Sequence, residues 1–251
     1  MKNKIIYLTL ILIILSSLIY NFSSSNKISP VFNYNDKDTY LSDMYFNRYH
    51  GKSWITLGDS ITKPNKYQNK LKTILNFSIV DNLGENGQTM SSQSNKPSTY
   101  EAGKSIDYSK YDLATVFIGT NDFRYNKKLG KIKESGCNDF DENTFTGSYQ
   151  LLIETILKSN SNIDLVLITP IQRVKDGYNI YYTNDDGSKL EDYVYAIKSL
   201  GKIYSIPVLD LYSESGITKE TMDTFTKDGL HPNDAGYERI SEKMYRFLLN
   251  I

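Results

Sequence analysis

Leu113–Asp122 reads Leu-Ala-Thr-Val-Phe-Ile-Gly-Thr-Asn-Asp, an almost continuous apolar run that stops in a cluster of small and polar residues. A strand with one wet face alternates apolar with polar residues. A run without that alternation belongs to a strand covered on both faces, as in parallel sheets. The same arrangement recurs to either side. Ser53–Leu57 (SWITL) runs into Gly58-Asp59-Ser60, Ser78–Asn82 leads to Gly84-Glu85-Asn86-Gly87, Leu165–Thr169 meets Pro170, and Pro207–Leu211 supplies a fifth apolar stretch. Between them, Lys66–Leu75, Ser148–Lys158, Tyr193–Tyr204 and Asp234–Leu249 place apolar residues at helical spacing. Strands alternating with helices predict a three-layer α/β/α sandwich built on a five-stranded parallel sheet.

In such a sheet the reactive groups sit beyond the C-terminal ends of the strands. The clusters Gly58-Asp59-Ser60, Gly84–Gly87, Gly119-Thr120-Asn121-Asp122 and Thr169-Pro170 then all fall on one edge. Small and polar residues at consecutive strand ends are what an anion-stabilising pocket requires. Two long polar stretches, Phe123–Gly147 and Gln172–Asp192, carry no periodic pattern and are expected to form the substrate-facing walls.

A serine becomes a nucleophile only with a base, and histidine titrates in the right range. The chain has two histidines. His50 precedes the first strand while Ser60 follows it, so roughly 20 Å of extended chain separates them. His50 is therefore expected to be a surface residue. His231 stands in Asp228-Gly229-Leu230-His231-Pro232-Asn233, just before the last helix. A tight turn through Gly229 can fold the Asp228 carboxylate back onto the imidazole and fix its tautomer. Each piece alone has a plainer reading: Gly-Asp-Ser as a strand-ending turn, Gly87 as a turn glycine, Asn121 as a cap or Asx-turn, and Asn233 or Asp234 as the cap of the last helix.

Taken together and in order, Gly58-Asp59-Ser60-Ile61, Gly87, Gly119-Thr120-Asn121-Asp122 and Asp228-Gly229-Leu230-His231-Pro232 resemble the four blocks of the SGNH, or GDSL-type, hydrolases. The resemblance runs from about Lys52 to the C-terminus, with Ile61 where the family name has leucine. It implies a flavodoxin-like sheet in the SGNH hydrolase fold. It also implies Ser60 as nucleophile, His231 as base and Asp228 as its orienting acid. The oxyanion hole would comprise the backbone N–H groups of Ser60 and Gly87 with the side-chain amide of Asn121. Asp59 and Asp122 read as structural acceptors that hold these loops.

Composition narrows the partners. Lys and Arg number 29 and Asp and Glu number 29, a balance with no long basic run and no case for nucleic acid. Cys137 is the single cysteine, so no intrachain disulfide and no cysteine-rich metal cluster are expected. Two separated histidines without a metal-binding spacing predict no metal and no cofactor. Met1-Lys2-Asn3-Lys4 is a basic head before an apolar run from Ile5 to Tyr20, which predicts an export segment with the head inside. Residues 1–25 are read as a signal peptide or membrane anchor. With only Ser23 to Ser25 as a weak cleavage site, the anchor is preferred. Residues 26–52 follow as a linker and docking segment, the polar, serine-rich Asn21–Asn35 reading as tether and Asp38–Tyr49 having helical spacing, and residues 53–251 form the hydrolase domain.

These readings predict an extracytoplasmic serine esterase acting on short-chain O-acyl esters, acylated carbohydrate among them. The alternative within the same triad is an acyltransferase that moves acetyl groups to or from a cell-surface polymer. A non-catalytic carbohydrate module, with Tyr178, Tyr181 and Tyr182 as its stacking surface, would have no need of all four of Ser60, Asn121, Asp228 and His231.

Overall fold

The computed structural model describes residues 47–251. The N-terminal segment and residues 38–46 of the expected short helix lie outside the described residues; Arg48–His50 form a turn. The sheet has five parallel strands in the order β2-β1-β3-β4-β5: β1 Ser53–Gly58, β2 Ile79–Gly84, β3 Leu113–Phe117, β4 Asp164–Ile168 and β5 Val208–Leu209. The helices are α1 Lys66–Ile74, α2 Thr99–Gly103, α3 Thr120–Arg124, α4 Phe145–Ser159, α5 Leu190–Tyr204, α6 Leu211–Glu214, α7 Met222–Phe225 and α8 Asp234–Leu248, with short 3₁₀ turns at Tyr108–Lys110 and Lys175–Gly177.

The apolar runs of β1, β3 and β4 divide their side chains between two cores, as strands covered on both faces must. Trp54, Leu113, Phe117, Val166 and Ile168 pack with Tyr67 and Leu71 of α1 and Tyr237, Ile240 and Met244 of α8. Ile55, Leu57, Ala114, Val116, Leu165 and Leu167 pack with Tyr149, Leu152 and Ile153 of α4 and Tyr193, Ile197 and Leu200 of α5. The three-layer α/β/α arrangement follows directly from that alternation. β2 is an edge strand, and Ile79 stays half exposed there. No helix among the described residues is long and apolar enough to cross a membrane.

Several boundaries differ from the sequence reading, each for a local reason. The expected fifth strand, Pro207–Leu211, pairs only over Val208–Leu209, because Asp210 turns the chain and caps α6 by accepting from Ser213 N–H at 3.2 Å. α4 starts at Phe145 rather than Ser148, since the Thr144 hydroxyl accepts from Gly147 N–H. α5 starts at Leu190 rather than Tyr193; Asp192 reaches back to the Lys189 N–H at 2.7 Å. The polar stretch Phe123–Gly147 thus begins in α3 and ends in α4.

Register lines up the strand ends. Gly58 pairs with Gly84 and with Phe117, and Phe117 pairs with Ile168. The clusters that follow these residues therefore emerge along one edge. The chain leaves β1 for β2 on one side and later returns to β3 on the other, so the switch of direction falls between β1 and β3, where α/β sheets open a crevice.

Candidate active site

Ser60 sits in the turn that joins β1 to α1. The Asp59 carbonyl accepts from the N–H groups of Thr62 (3.1 Å) and Lys63 (2.9 Å), while its carboxylate accepts from Ile61 N–H at 2.9 Å. This tight turn folds back onto Gly58, where a Cβ would lie 2.2 Å from the Thr62 hydroxyl and 2.7 Å from the Phe117 carbonyl. Glycine is thus the residue that lets Ser60 stand at the strand end. The Ser60 side chain is half-buried, and its Oγ lies 2.9 Å from His231 Nε2.

The histidine is held from behind. Gly229, at φ +78°, reverses the chain so that Asp228 Oδ1 accepts from His231 N–H at 2.8 Å, and Oδ2 lies 2.8 Å from His231 Nδ1. A carboxylate on Nδ1 places the ring proton there and leaves Nε2 to accept from a hydroxyl. Lys175 Nζ donates to the same Asp228 oxygen. Partial burial works against the Asp228 charge, but hydrogen bonds from Lys175 and His231 outweigh it and hold the carboxyl far below the ordinary range.

Unspent N–H donors are present at the same edge. Neither the Ser60 nor the Gly87 N–H has a hydrogen-bond acceptor among the described residues. Asn121, buried at the start of α3, gives one side-chain hydrogen to the Gln88 carbonyl at 3.0 Å, which ties it beside Gly87 and leaves its second hydrogen unspent. The expected loop-holding carboxylates are also in place. Buried Asp122 accepts from the N–H groups of Met90 and Ser91 and from the Ser91 hydroxyl, fixing the stretch that follows Gly87. His50, the other histidine, is exposed and bonds Asn76, away from this cluster.

Two residues of the site were not singled out from the sequence, although both lie in the polar stretch Gln172–Asp192. Arg173, fully buried, donates from Nη1 to the Thr120 hydroxyl (2.9 Å) and carbonyl (3.2 Å) and lies over the Tyr178 ring, while its Nε and Nη2 have no hydrogen-bond partner among the described residues. Burial, with Arg124 adding repulsion, pushes its pKa down to about 10, so it remains a cation at neutral pH. Lys175 is the second. Between them, Val174 and Lys175 donate their backbone N–H groups to the Gly229 carbonyl. The three residues Arg173–Lys175 therefore bridge the Asn121 loop to the Asp228–His231 loop. Their one signal was position, three to five residues beyond the end of the β4 cluster.

The walls differ in part from expectation. One hollow of about 280 Å³ holds Ser60, Asn86, Asp228 and His231 with Lys66, Lys227 and Tyr237 around them. A second, of about 560 Å³, shares Asn86 and continues past Gly87 to Gln93, Lys96, Tyr125 and Lys127. Phe123–Gly147 thus contributes Tyr125 and Lys127, but Gln172–Asp192 lines neither hollow; it braces Asp228 through Lys175. No group of three or more His, Cys, Asp or Glu among the described residues is placed to hold a metal ion.

The family described as GDSL-like lipase/acylhydrolase matches residues 56–239, nearly the whole of the sheet and the helices around it. Among solved structures, a Lactobacillus plantarum protein superposes with a TM-score of 0.69 at 27% identity, over 79% of this chain and 97% of its own. A Chitinophaga pinensis protein described as a possible lipase gives 0.62 at 24% identity, over 78% and 96%. An acetyl xylan esterase gives 0.56 at 22% identity, over 77% and 98%. The last two, at such identities, speak to the fold. No curated protein matches the sequence.

Proposed function

The chain belongs to the GDSL-like lipase/acylhydrolase family and is an ester-hydrolysing enzyme, and from that premise we propose that Ser60 is its nucleophile, His231 its base and Asp228 the acid that orients the base. The observation that carries this reading is the unbroken chain of contacts from Ser60 Oγ to His231 Nε2 at 2.9 Å and from His231 Nδ1 to Asp228 Oδ2 at 2.8 Å. His231 takes the Ser60 proton as Oγ bonds to the ester carbonyl carbon. The carbonyl electrons move onto the oxygen, which the Ser60 and Gly87 N–H groups and the Asn121 amide stabilise. As the intermediate collapses, the C–O bond to the alcohol breaks and His231 returns the proton to the leaving oxygen. Water then repeats the sequence on the acyl-enzyme, releasing the carboxylic acid and restoring Ser60. Each oxyanion donor of this kind contributes about 10²–10³ in kcat.

The acyl group is short. The residues around Ser60 are mainly polar or charged, with Pro64, Pro232 and Tyr237 the apolar exceptions. A long acyl chain gains about 0.8 kcal/mol per buried methylene only where apolar walls receive it. Acetyl and similar esters of hydroxyl-rich alcohols fit better. The domain acts outside the cytoplasm, a placement that rests on the basic head Met1–Lys4 and the apolar run Ile5–Tyr20. On cells stripped of their wall, added protease should degrade the domain; protection inside intact cells would refute export.

Hydrolysis of p-nitrophenyl esters of increasing chain length tests the catalytic reading. Acetate should be the best substrate, activity should fall beyond butyrate, and Ser60→Ala should remove it at unchanged far-UV circular dichroism. Activity retained in Ser60→Ala would overturn the assignment.

A further inference from the structure

We propose that the alcohol part of the substrate is an anionic carbohydrate, a sugar carrying a carboxylate or phosphate, seated between Tyr125, Lys96 and Lys127. The proposal rests on the serine-esterase reading of Ser60 and adds the substrate class to it.

The chain as a whole is electrically balanced, with 29 basic and 29 acidic residues. The cleft is not. The charged side chains that line its two hollows, histidine aside, are Lys66, Lys96, Lys127, Lys227 and Asp228. Asp228 is already engaged by His231 and Lys175. Lys66 pairs with Asp234 at 3.2 Å. Lys96, Lys127 and Lys227 make no ion pair among the described residues. Glu85 and the buried Asp122 are near enough to feel Lys96 and Lys127, but Glu85 is bonded to Lys63 and Asp122 is occupied by Met90 and Ser91.

Lys96 and Lys127 are held rather than free. Lys96 Nζ donates to the Asn86 carbonyl, and Lys127 Nζ donates to the Ser92 carbonyl at 2.6 Å. Both are half-buried, so their charge is screened less than that of a lysine in open water. A Cβ placed on Gly87 would lie 3.4 Å from the Tyr125 hydroxyl and 3.5 Å from Lys96 Nζ. This cationic and aromatic wall therefore begins directly beside a proposed oxyanion donor. Tyr125 is 46% exposed and is the aromatic member of the second hollow, where Asn86, Gln93, Ser94 and Asn95 offer partners for hydroxyl groups. An apolar ring face, amide and hydroxyl groups, and fixed cations together match a sugar ring with an acidic substituent. A purely neutral sugar would leave both lysines without an ion-pair partner among the described residues.

The test compares three acetyl esters that differ in one group: O-acetylated glucose, glucuronate and glucose 6-phosphate, beside p-nitrophenyl acetate, all with the full chain. At low ionic strength kcat/KM for at least one acidic ester should exceed that for the glucose ester by about tenfold, the scale on which a charged cleft enriches its substrate. The ratio should shrink in 0.5 M salt. Lys96→Gln/Lys127→Gln should bring it close to one, while Lys96→Arg/Lys127→Arg should keep most of it, which separates charge from loop geometry. A wild-type ratio of one or below, with p-nitrophenyl acetate still hydrolysed, overturns the anionic subsite alone. A ratio unchanged in the Gln variant overturns the part assigned to these lysines. Failure to hydrolyse any of the four esters overturns the esterase reading and this proposal with it.

Discussion

Ser60, His231 and Asp228 form a chain in which each contact sets the next, and single substitutions should separate their parts. Asn121 spends one amide hydrogen on the Gln88 carbonyl and has one left for the proposed oxyanion. Asn121→Ala should therefore lower kcat on p-nitrophenyl acetate by about 10²–10³ with little change in KM. Unchanged kcat, with acylation rate-limiting, would make Asn121 a loop residue only. Lys175 stands one step further out, since it touches Asp228 and not the serine. It is a positioning residue, about a quarter exposed at its side chain, so solvent discounts the worth of its bond. Lys175→Met should cost about tenfold in kcat with KM preserved, and Lys175→Arg should recover most of that loss. An equal loss in both variants would point to packing rather than to the charge on Asp228.

At the scale of elements, Arg173–Lys175 after β4 links the loop carrying Asn121 to the loop carrying His231. Arg173 is costly where it lies: it is wholly buried, with two nitrogens lacking hydrogen-bond partners among the described residues. Removing it leaves the Thr120 hydroxyl and carbonyl without their donor, which costs stability as well as aim. Arg173→Met should thus lower both the melting temperature and kcat, because Thr120 loses its tie and Asn121 its fixed aim. A lower melting temperature with unaltered kcat would reverse that assignment. This bridge also marks where the sequence stopped being informative. Strand ends were legible because apolar runs and the small residues after them obey the pleat and the parallel crossover, and the turns at Ser60 and Gly229 were legible because glycine stands where the chain reverses. Arg173 and Lys175 lie in a stretch with no period, and their contacts reach across more than fifty residues to Thr120 and Asp228. Chain spacing cannot encode that. The short helices α2, α6 and α7 escaped for another reason, being about one turn each without an apolar stripe, α2 and α6 fixed by the Ser98 and Asp210 caps. The second wall, from Gln93 to Lys96, was hidden in a polar run of ordinary loop composition.

For the molecule as a whole, the two buried carboxyls beneath the site govern stability against pH. Burial pushes Asp59 up to about 7 and Asp122 up to about 6 from an ordinary value of 3.8. Between about pH 4 and 7 the folded protein therefore binds protons that the unfolded chain has released, and stability falls as pH rises through that window. Asp228 and Asp210 are shifted the other way, so their contribution is present above about pH 4 and is lost below it. The melting temperature should peak near pH 4 and decline towards pH 7, and Asp59→Asn should flatten the decline. A melting temperature that climbs steadily from about pH 4 to 7 would contradict the burial of these groups as carboxylic acids. The proposed activation of the Ser60 hydroxyl by His231 can be read on the intact protein. Incubated with a fluorophosphonate, the full chain should gain the mass of one phosphonyl group, fragmentation should place it on Ser60, and His231→Ala should slow the labelling severely. Labelling at a different serine, or at the same rate without His231, would contradict the account.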